Sequence, residues 1–187
     1  MGIWIWHSLL RFLYPPHCIL CQKSLSNQPG LCNTCAEMVG LNEGKQIDVS
    51  QIDGIDVYFL QAFNDPLRKL IHMLKYQGKT LPGRLLGQAL GNGLVGELGM
   101  ADWLVVPVPL YSARKRERGY NQSAIIARAM GQVTGFQVCE TGLKRVRHTP
   151  SQTRLDRKAR YLNMDSAFAV RDASVICGHH IILIDDV

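Results

Sequence analysis

The stretch that decides the fold is IILIDDV, residues 181–187. Four aliphatic side chains in a row, Ile181 to Ile184, followed by Asp185 and Asp186, form the pattern of a fully buried parallel strand that delivers acids to the carboxyl edge of a sheet. Ligands of open α/β sheets collect at that edge. A strand is therefore expected over 180–185, with a site at its end.

Working back along the chain, WLVVPVPL (103–110) reads as a second buried strand ending in prolines, and IDVYFLQAF (55–63) has strand composition. Asn64 or Asp65 offers an N-cap and Pro66 a first-turn position, while Leu67, Leu70, Ile71 and Leu74 share one face. These signals predict a helix to about Tyr76. Residues 81–98 suggest another helix, weakened by its glycines, and 121–134 a further one stopped by Gly135. Short strands are expected at 143–146 and 167–170, a turn of helix at 154–162, and a basic loop over 112–120. The polar stretch 40–54 reads as a linker holding at most one short strand. Strands alternating with helices predict an α/β fold with a mostly parallel sheet flanked by helices.

The chain has 187 residues, 47% of them hydrophobic, enough for one domain with a real core plus a small appendage. Its N-terminal stretch, MGIWIWHSLLRFLYPP, lacks the basic start and small-residue cleavage site of a secretory signal and is too short to span a bilayer. Ile3, Trp6, Leu10 and Leu13 recur at helical spacing, favouring a short amphipathic helix on the protein body over a membrane-surface anchor. No transmembrane segment is expected.

Four of the six cysteines, Cys18, Cys21, Cys32 and Cys35, form two CxxC pairs separated by ten residues. Each pair lets a tight turn aim two sulfurs at one point, and two such turns close a tetrahedral four-sulfur shell suited to Zn²⁺. With no coordination position left open, the metal's expected role is structural. An iron–sulfur centre and redox-active CxxC pairs are the competing readings. Cys139 and Cys177 are expected to be small buried hydrophobes. This cysteine usage fits a reducing compartment better than a secreted disulfide framework, predicting a cytoplasmic protein.

Charge is concentrated. Residues 111–160 carry 12 Lys/Arg against 3 Asp/Glu, while the whole chain is only +6. Such a segment calls for an anionic partner, either a phosphorylated small molecule or a nucleic-acid backbone, against the plainer reading of a solvated basic face. Within it, PVPLYSARKRERGYNQ (107–122) leaves a strand, presents Arg114, Lys115, Arg116 and Arg118, and reaches Gly119 and Asn121 at the start of a helix. Strand, basic loop and helix N-terminus together are expected to bind an anion.

An ordered set of motifs gives these parts a common source. The two CxxC pairs, LRKLIHMLKYQGK (67–79), VPVPL with RERGYNQS (to Ser123), LKRVRHTPSQTRL (143–155), RYLNMDSAF (160–168) and IILIDDV together resemble the ComF family, including its GntX-like members. These are competence-associated proteins that join an N-terminal four-cysteine zinc module to a type I phosphoribosyltransferase-like domain. The resemblance runs nearly the length of the chain and implies a zinc-binding module over 1–45, N-terminal helix included, and a phosphoribosyltransferase-like domain over 55–187.

The resemblance implies roles for individual residues. Asp185 and Asp186 would contact the ribose hydroxyls of phosphoribosyl pyrophosphate, with Mg²⁺ as a cofactor alongside the structural zinc. Arg114, Arg118, Gly119, Asn121 and Gln122 would lie towards the pyrophosphate. Gln152, Arg160 and Asn163 fall in a segment resembling the mobile loop over such sites. No residue is assigned to catalysis; Lys75, on a helix with His72 and in the family's LKY stretch, receives no chemical role, and His148, His179 and His180, which no spacing ties to the cysteines, are expected to be ordinary polar residues. In the family a threonine- and glycine-rich turn that holds the 5′-phosphate follows the acid pair, so the domain is expected to be incomplete beyond Val187. The expected function is support of DNA uptake or utilisation, through a phosphoribosyl ligand, single-stranded DNA or a helicase-type competence partner. The alternatives are an active Mg²⁺-dependent phosphoribosyltransferase and an inactive remnant.

Overall fold

The computed structural model describes residues 15–26, 29–41, 47–99, 101–147, 149, 164 and 166–186. The expected N-terminal helix, the turn at 154–162, His148, Gln152, Arg160 and Asn163 lie outside them. The chain forms two compact units, Met1–His72 and Met73–Val187.

The first unit contains the cysteine module, a short helix α1 (Asn33–Met38), and strands β1 (Asp48–Ile52) and β2 (Ile55–Phe59). β1 and β2 pair antiparallel, Asp48 opposite Phe59 and Ile52 opposite Ile55. The presumed linker is thus half of a hairpin. Its turn is Asp53-Gly54, with φ of +51° and +79°, the two positive values that a two-residue loop with the right-handed twist of its strands requires.

Helix α2 (Asp65–Tyr76) begins where the sequence predicts and crosses from the first unit into the second. Asn64 Oδ1 accepts from the Leu67 amide at 2.9 Å, capping it. Leu67, Leu70, Ile71 and Leu74 are all buried, as their spacing predicts.

The second unit is built from α3 (Leu81–Leu94), β3 (Trp103–Pro107), α4 (Ser112–Arg118), α5 (Gln122–Thr134), β4 (Gln137–Val138), β5 (Leu143–Arg145), β6 (Phe168–Val170) and β7 (His180–Ile184). A parallel sheet has the order β4-β3-β7, and β5 and β6 make a separate antiparallel pair. The α/β expectation holds, with a parallel sheet of three described strands.

The glycines of α3 are explained by packing. A Cβ on Gly87 would stand 2.2 Å from the carbonyl oxygen of Ile126 and 2.8 Å from Ala129 Cβ. One on Gly91 would meet Val133 at 2.8 Å, and one on Gly83 would meet Ile125 at 2.9 Å. Three glycines four residues apart lie on one helix face, and on α3 that face lets α5 approach to backbone contact. The helix accepts the poor propensity of glycine because closeness to Ile125, Ile126, Ala129 and Met130, all buried, returns more.

Three expectations are corrected. Residues 112–118 are helix rather than loop: SARKRER contains no helix breaker, its last-turn cations suit the negative end of the helix dipole, and Gly119 ends it at φ +82°. β7 is not fully buried. Only Ile184 is, while Ile181 and Leu183 are 37% and 59% exposed, because β3 is its sole neighbour among the described strands. Finally, Cys177 is exposed and Cys139 half-buried; Cys177 lies in the irregular turn before β7, outside any packed element.

Candidate functional site

The two CxxC pairs are set by different local structures. The first sits on a tight turn, in which the Cys18 amide donates to Lys23 O at 2.8 Å and the Gln22 amide to Cys18 O at 2.9 Å. Gln22 takes φ +63° to close it. The second pair starts α1: Cys32 is the N-cap residue in extended conformation and Cys35 lies within the first turn. The two parts are joined where the Ile19 amide donates to Gly30 O at 2.9 Å.

All four sulfurs lie within 4.8 Å of one another, and those of Cys21 and Cys32 are 3.6 Å apart. Sulfurs at about 2.3 Å from a tetrahedral zinc would be about 3.8 Å apart, so the cluster has the size of a four-thiolate zinc shell. Its electrostatics also ask for a cation. Burial, together with the neighbouring Cys21, Cys32 and Cys18 sulfurs, pushes the Cys35 thiol up to about 12. For Cys18, burial acts upward, but the amides of Cys21, Cys32 and Leu20 hold the thiol down at about 6. A divalent ion removes the conflict between crowded thiolates. The α1 end of the module is tied down by side chains: Gln61 Nε2 and Asn64 Nδ2 donate to the carbonyl of Met38 at 3.1 and 2.8 Å.

The second candidate site lies at the carboxyl end of β7, within the second unit. β3 and β7 stay paired to their ends, Pro107 opposite Ile184, and the Val108 amide donates to Ile184 O at 2.9 Å. The next two residues are the acid pair. Asp185 Oδ1 accepts from Ser123 Oγ at 3.3 Å and from the Asp186 amide at 2.9 Å. Asp186 Oδ2 forms an ion pair with Lys75 Nζ at 3.0 Å, its side chain 5% exposed and that of Lys75 19%. Crowding by the protein first, and the Asp186 charge second, push the Asp185 carboxyl up to about 6, although the residue as a whole remains exposed.

The arginine-rich segment arrives at this end from the other side. Asn121 stands at the N-cap position of α5 without capping it. Its Nδ2 instead donates to Val108 O at 3.0 Å, and its Oδ1 is buried without a partner among the described residues. The amide thereby ties the exit of β3 to the start of α5. Arg118 donates to Gln122 Oε1 and lies over the Tyr76 ring, 5.6 Å from its centroid. Tyr120 Oη donates to Leu74 O at 2.5 Å. Arg114 donates to the backbone of buried Thr149 at 3.4 Å, and Arg145 to the Thr149 hydroxyl. Burial lowers the pKa of Arg145, the nearby Arg114 charge lowers it further, and Asp185 acts in the opposite sense.

Among the predicted residues, then, Asp185 meets the first turn of α5 through Ser123, while Asp186 meets Lys75 of α2. Arg118 and Gln122 engage each other, and Arg114 points to Thr149. Three side chains at the strand end have no role in the sequence reading: Lys75, Ser123 and Arg145. Lys75 and Arg145 lie within quoted motifs, but nothing in local spacing ties them to the acids. His179 pairs with Asp102 at 2.9 Å and His180 lies beside Trp103, ring centroids 5.1 Å apart. Both sit at the opposite end of β3 and β7.

Comparison with known proteins gives this geometry a context. Residues 9–45 match the double zinc ribbon domain. The chain is 26% identical over 181 residues, 91% of its length, to DNA utilization protein YhgH of Salmonella typhi, of which the match covers 77%. It is 27% identical over 160 residues to competence protein F of Haemophilus influenzae, covering 83% of this chain and 64% of that one. It is 30% identical over 127 residues to DNA utilization protein YhgH of Escherichia coli, covering 65% and 55%. The chain thus spans from about half to three quarters of the length of these relatives. No solved structure matches it significantly. No helix among the described residues is long and apolar enough to cross a membrane. With a cysteine cluster of zinc dimensions inside the matched ribbon, and relatives bearing these names over most of its length, the resemblance to the ComF group is borne out.

Proposed function

We propose that the chain supports DNA uptake or DNA utilisation as a phosphoribosyltransferase-like protein whose strand-end acid pair binds a phosphoribosyl ligand. The names of its relatives motivate the first half of this reading. The observation that carries the second is the anchoring of Asp185. One carboxylate oxygen is fixed by Ser123 Oγ and the Asp186 amide, so the other is held in place to accept from a sugar hydroxyl. Basic side chains stand nearby for the phosphates, with Arg145 close enough to Asp185 to feel its charge and Arg114 beside Arg145. Arginine is the side chain best matched to phosphate oxygens.

Calorimetric titration of the full chain with phosphoribosyl pyrophosphate, with and without Mg²⁺, tests this. Saturable binding that falls at least tenfold in Asp185→Asn is the expected result. Absence of binding at millimolar ligand refutes it. Turnover of phosphoribosyl pyrophosphate in the same samples would establish catalysis as well.

A second reading rests on α4, where Lys115 and Arg116 are exposed within the strongly basic segment 111–160. Neighbouring exposed cations suit a nucleic-acid backbone. Single-stranded DNA that binds at low salt, and is released steeply as salt rises, supports this reading; no binding at low salt removes it.

A further inference from the structure

We infer that Lys75 is the positioning residue that decides what the strand end accepts: it supplies Asp186 with the positive charge that adjacent carboxylates otherwise draw from a divalent cation, leaving Asp185 to receive hydroxyl groups. The inference rests on the reading of this strand end as a sugar-phosphate site, and the two are separable by experiment.

The argument begins with how Lys75 is held. It belongs to the last turn of α2, and the residues on both sides of it meet the last residue of α4 and the connection that follows it. Tyr120 Oη donates to the carbonyl of Leu74, a fully buried residue, and the Arg118 guanidinium lies over the ring of Tyr76. A lysine stem usually wanders through many rotamers and loses much entropy when fixed. Here the backbone carbonyl just before Lys75 is held by Tyr120, and the ammonium lands 3.0 Å from a carboxylate oxygen that meets no other partner among the described residues.

Burial turns this contact from a surface ion pair into a requirement. The Asp186 side chain is 5% exposed and that of Lys75 19%. A carboxylate removed from water needs a counter-charge. Two neighbouring carboxylates with open oxygens draw hard divalent cations such as Mg²⁺ or Mn²⁺. With Lys75 in place, Asp186 is already compensated. Among the described residues, the charges felt together with that of Asp185 are cationic: Arg145 of β5 senses both Asp185 and Arg114 of α4, and the two arginines share Thr149 as a hydrogen-bond partner. A dication entering this surround meets three positive side chains, whereas a neutral diol meets a positioned acceptor.

The test uses the full, zinc-loaded chain and Mn²⁺ as probe, read as paramagnetic broadening of the Asp185, Asp186 and Ser123 resonances. In the wild type, Mn²⁺ up to millimolar concentration is expected to leave these signals unbroadened. Lys75→Met should acquire site-specific broadening with an affinity at least tenfold higher, and Lys75→Arg should behave as wild type. Wild-type broadening at the strand end as strong as that of Lys75→Met overturns the inference, as does a Lys75→Met variant that folds and gains nothing. Should Lys75→Met fail to fold, Lys75→Gln takes its place, and the wild-type titration alone still suffices to overturn. Phosphoribosyl pyrophosphate titrated into metal-free samples separates the two ideas. Failure to bind, with the Mn²⁺ pattern as expected, removes the ligand reading and leaves the charge role of Lys75; binding with strong wild-type Mn²⁺ broadening does the reverse.

Discussion

The cysteine module and the α/β unit reach order by opposite means. In the first, helix α1 is six residues long, the β1–β2 hairpin beyond it is largely exposed on both faces, and the sulfur cluster is the centre to which the chain is drawn. In the second, α3 and α5 touch backbone to side chain through glycines, and Leu104, Val105 and Val106 of β3 are buried almost completely. One region is organised by coordination chemistry and the other by apolar burial. Their stabilities should therefore respond to different perturbations.

Removing metal should have the largest effect. Structural zinc sites of this type contribute on the order of 10 kcal/mol to the folding of small modules. A strong chelator, or Cys35→Ser, is expected to abolish hydrogen-exchange protection over 16–41 while protection in β3 and α5 persists. Simultaneous loss in both regions would break the contrast. Next, Gly87→Ala strikes the α/β unit alone. Its new methyl must displace the Ile126 carbonyl, and overpacking of this kind costs about 1–3 kcal/mol, visible as a lower urea midpoint with the zinc content unchanged.

A pH experiment sharpens the same contrast at the strand end. The Asp185 carboxyl is raised from its ordinary 3.8 to about 6, so the folded state holds its proton more tightly than the unfolded state does. The stability this gives is complete below the ordinary value and is lost as pH rises through about 6. The melting temperature of the α/β unit should fall between pH 5 and 7.5, and Asp185→Asn should flatten that part of the profile. The smallest effect expected is that of Asn64→Ala, which removes a helix cap and a bond to Met38 O. A cap of this kind is worth about 1 kcal/mol, and a change confined to protection at the start of α2 is the signature to look for.

What could be read from residues alone follows the range of the interaction responsible. CxxC spacing, the Asn64 cap, the apolar face of α2 and the Gly135 stop are set by neighbours a few positions away, and each is where the sequence places it. The Asp53-Gly54 turn is equally local: the polar stretch before it does hold one short strand, β1, and the stretch after it has strand composition, so what goes unread is only that the two pair across the turn. In α4, charge density suggests a loop although no residue there opposes helix. The glycines of α3 were legible only as a weakness, since their use depends on α5. Ser123 and Asp185 stand 62 residues apart, and Lys75 lies farther still from Asp186. No periodicity encodes such meetings, so the strand end could be anticipated as a site while two of the side chains that arrange it could not.

The exposed Asp53-Gly54 turn offers a practical handle. Its backbone faces solvent on a two-residue loop, and exposed loop tips tolerate added chain. A fluorescent label or short affinity tag inserted there would report on the protein while leaving untouched the sulfur cluster and the acid-tipped strand.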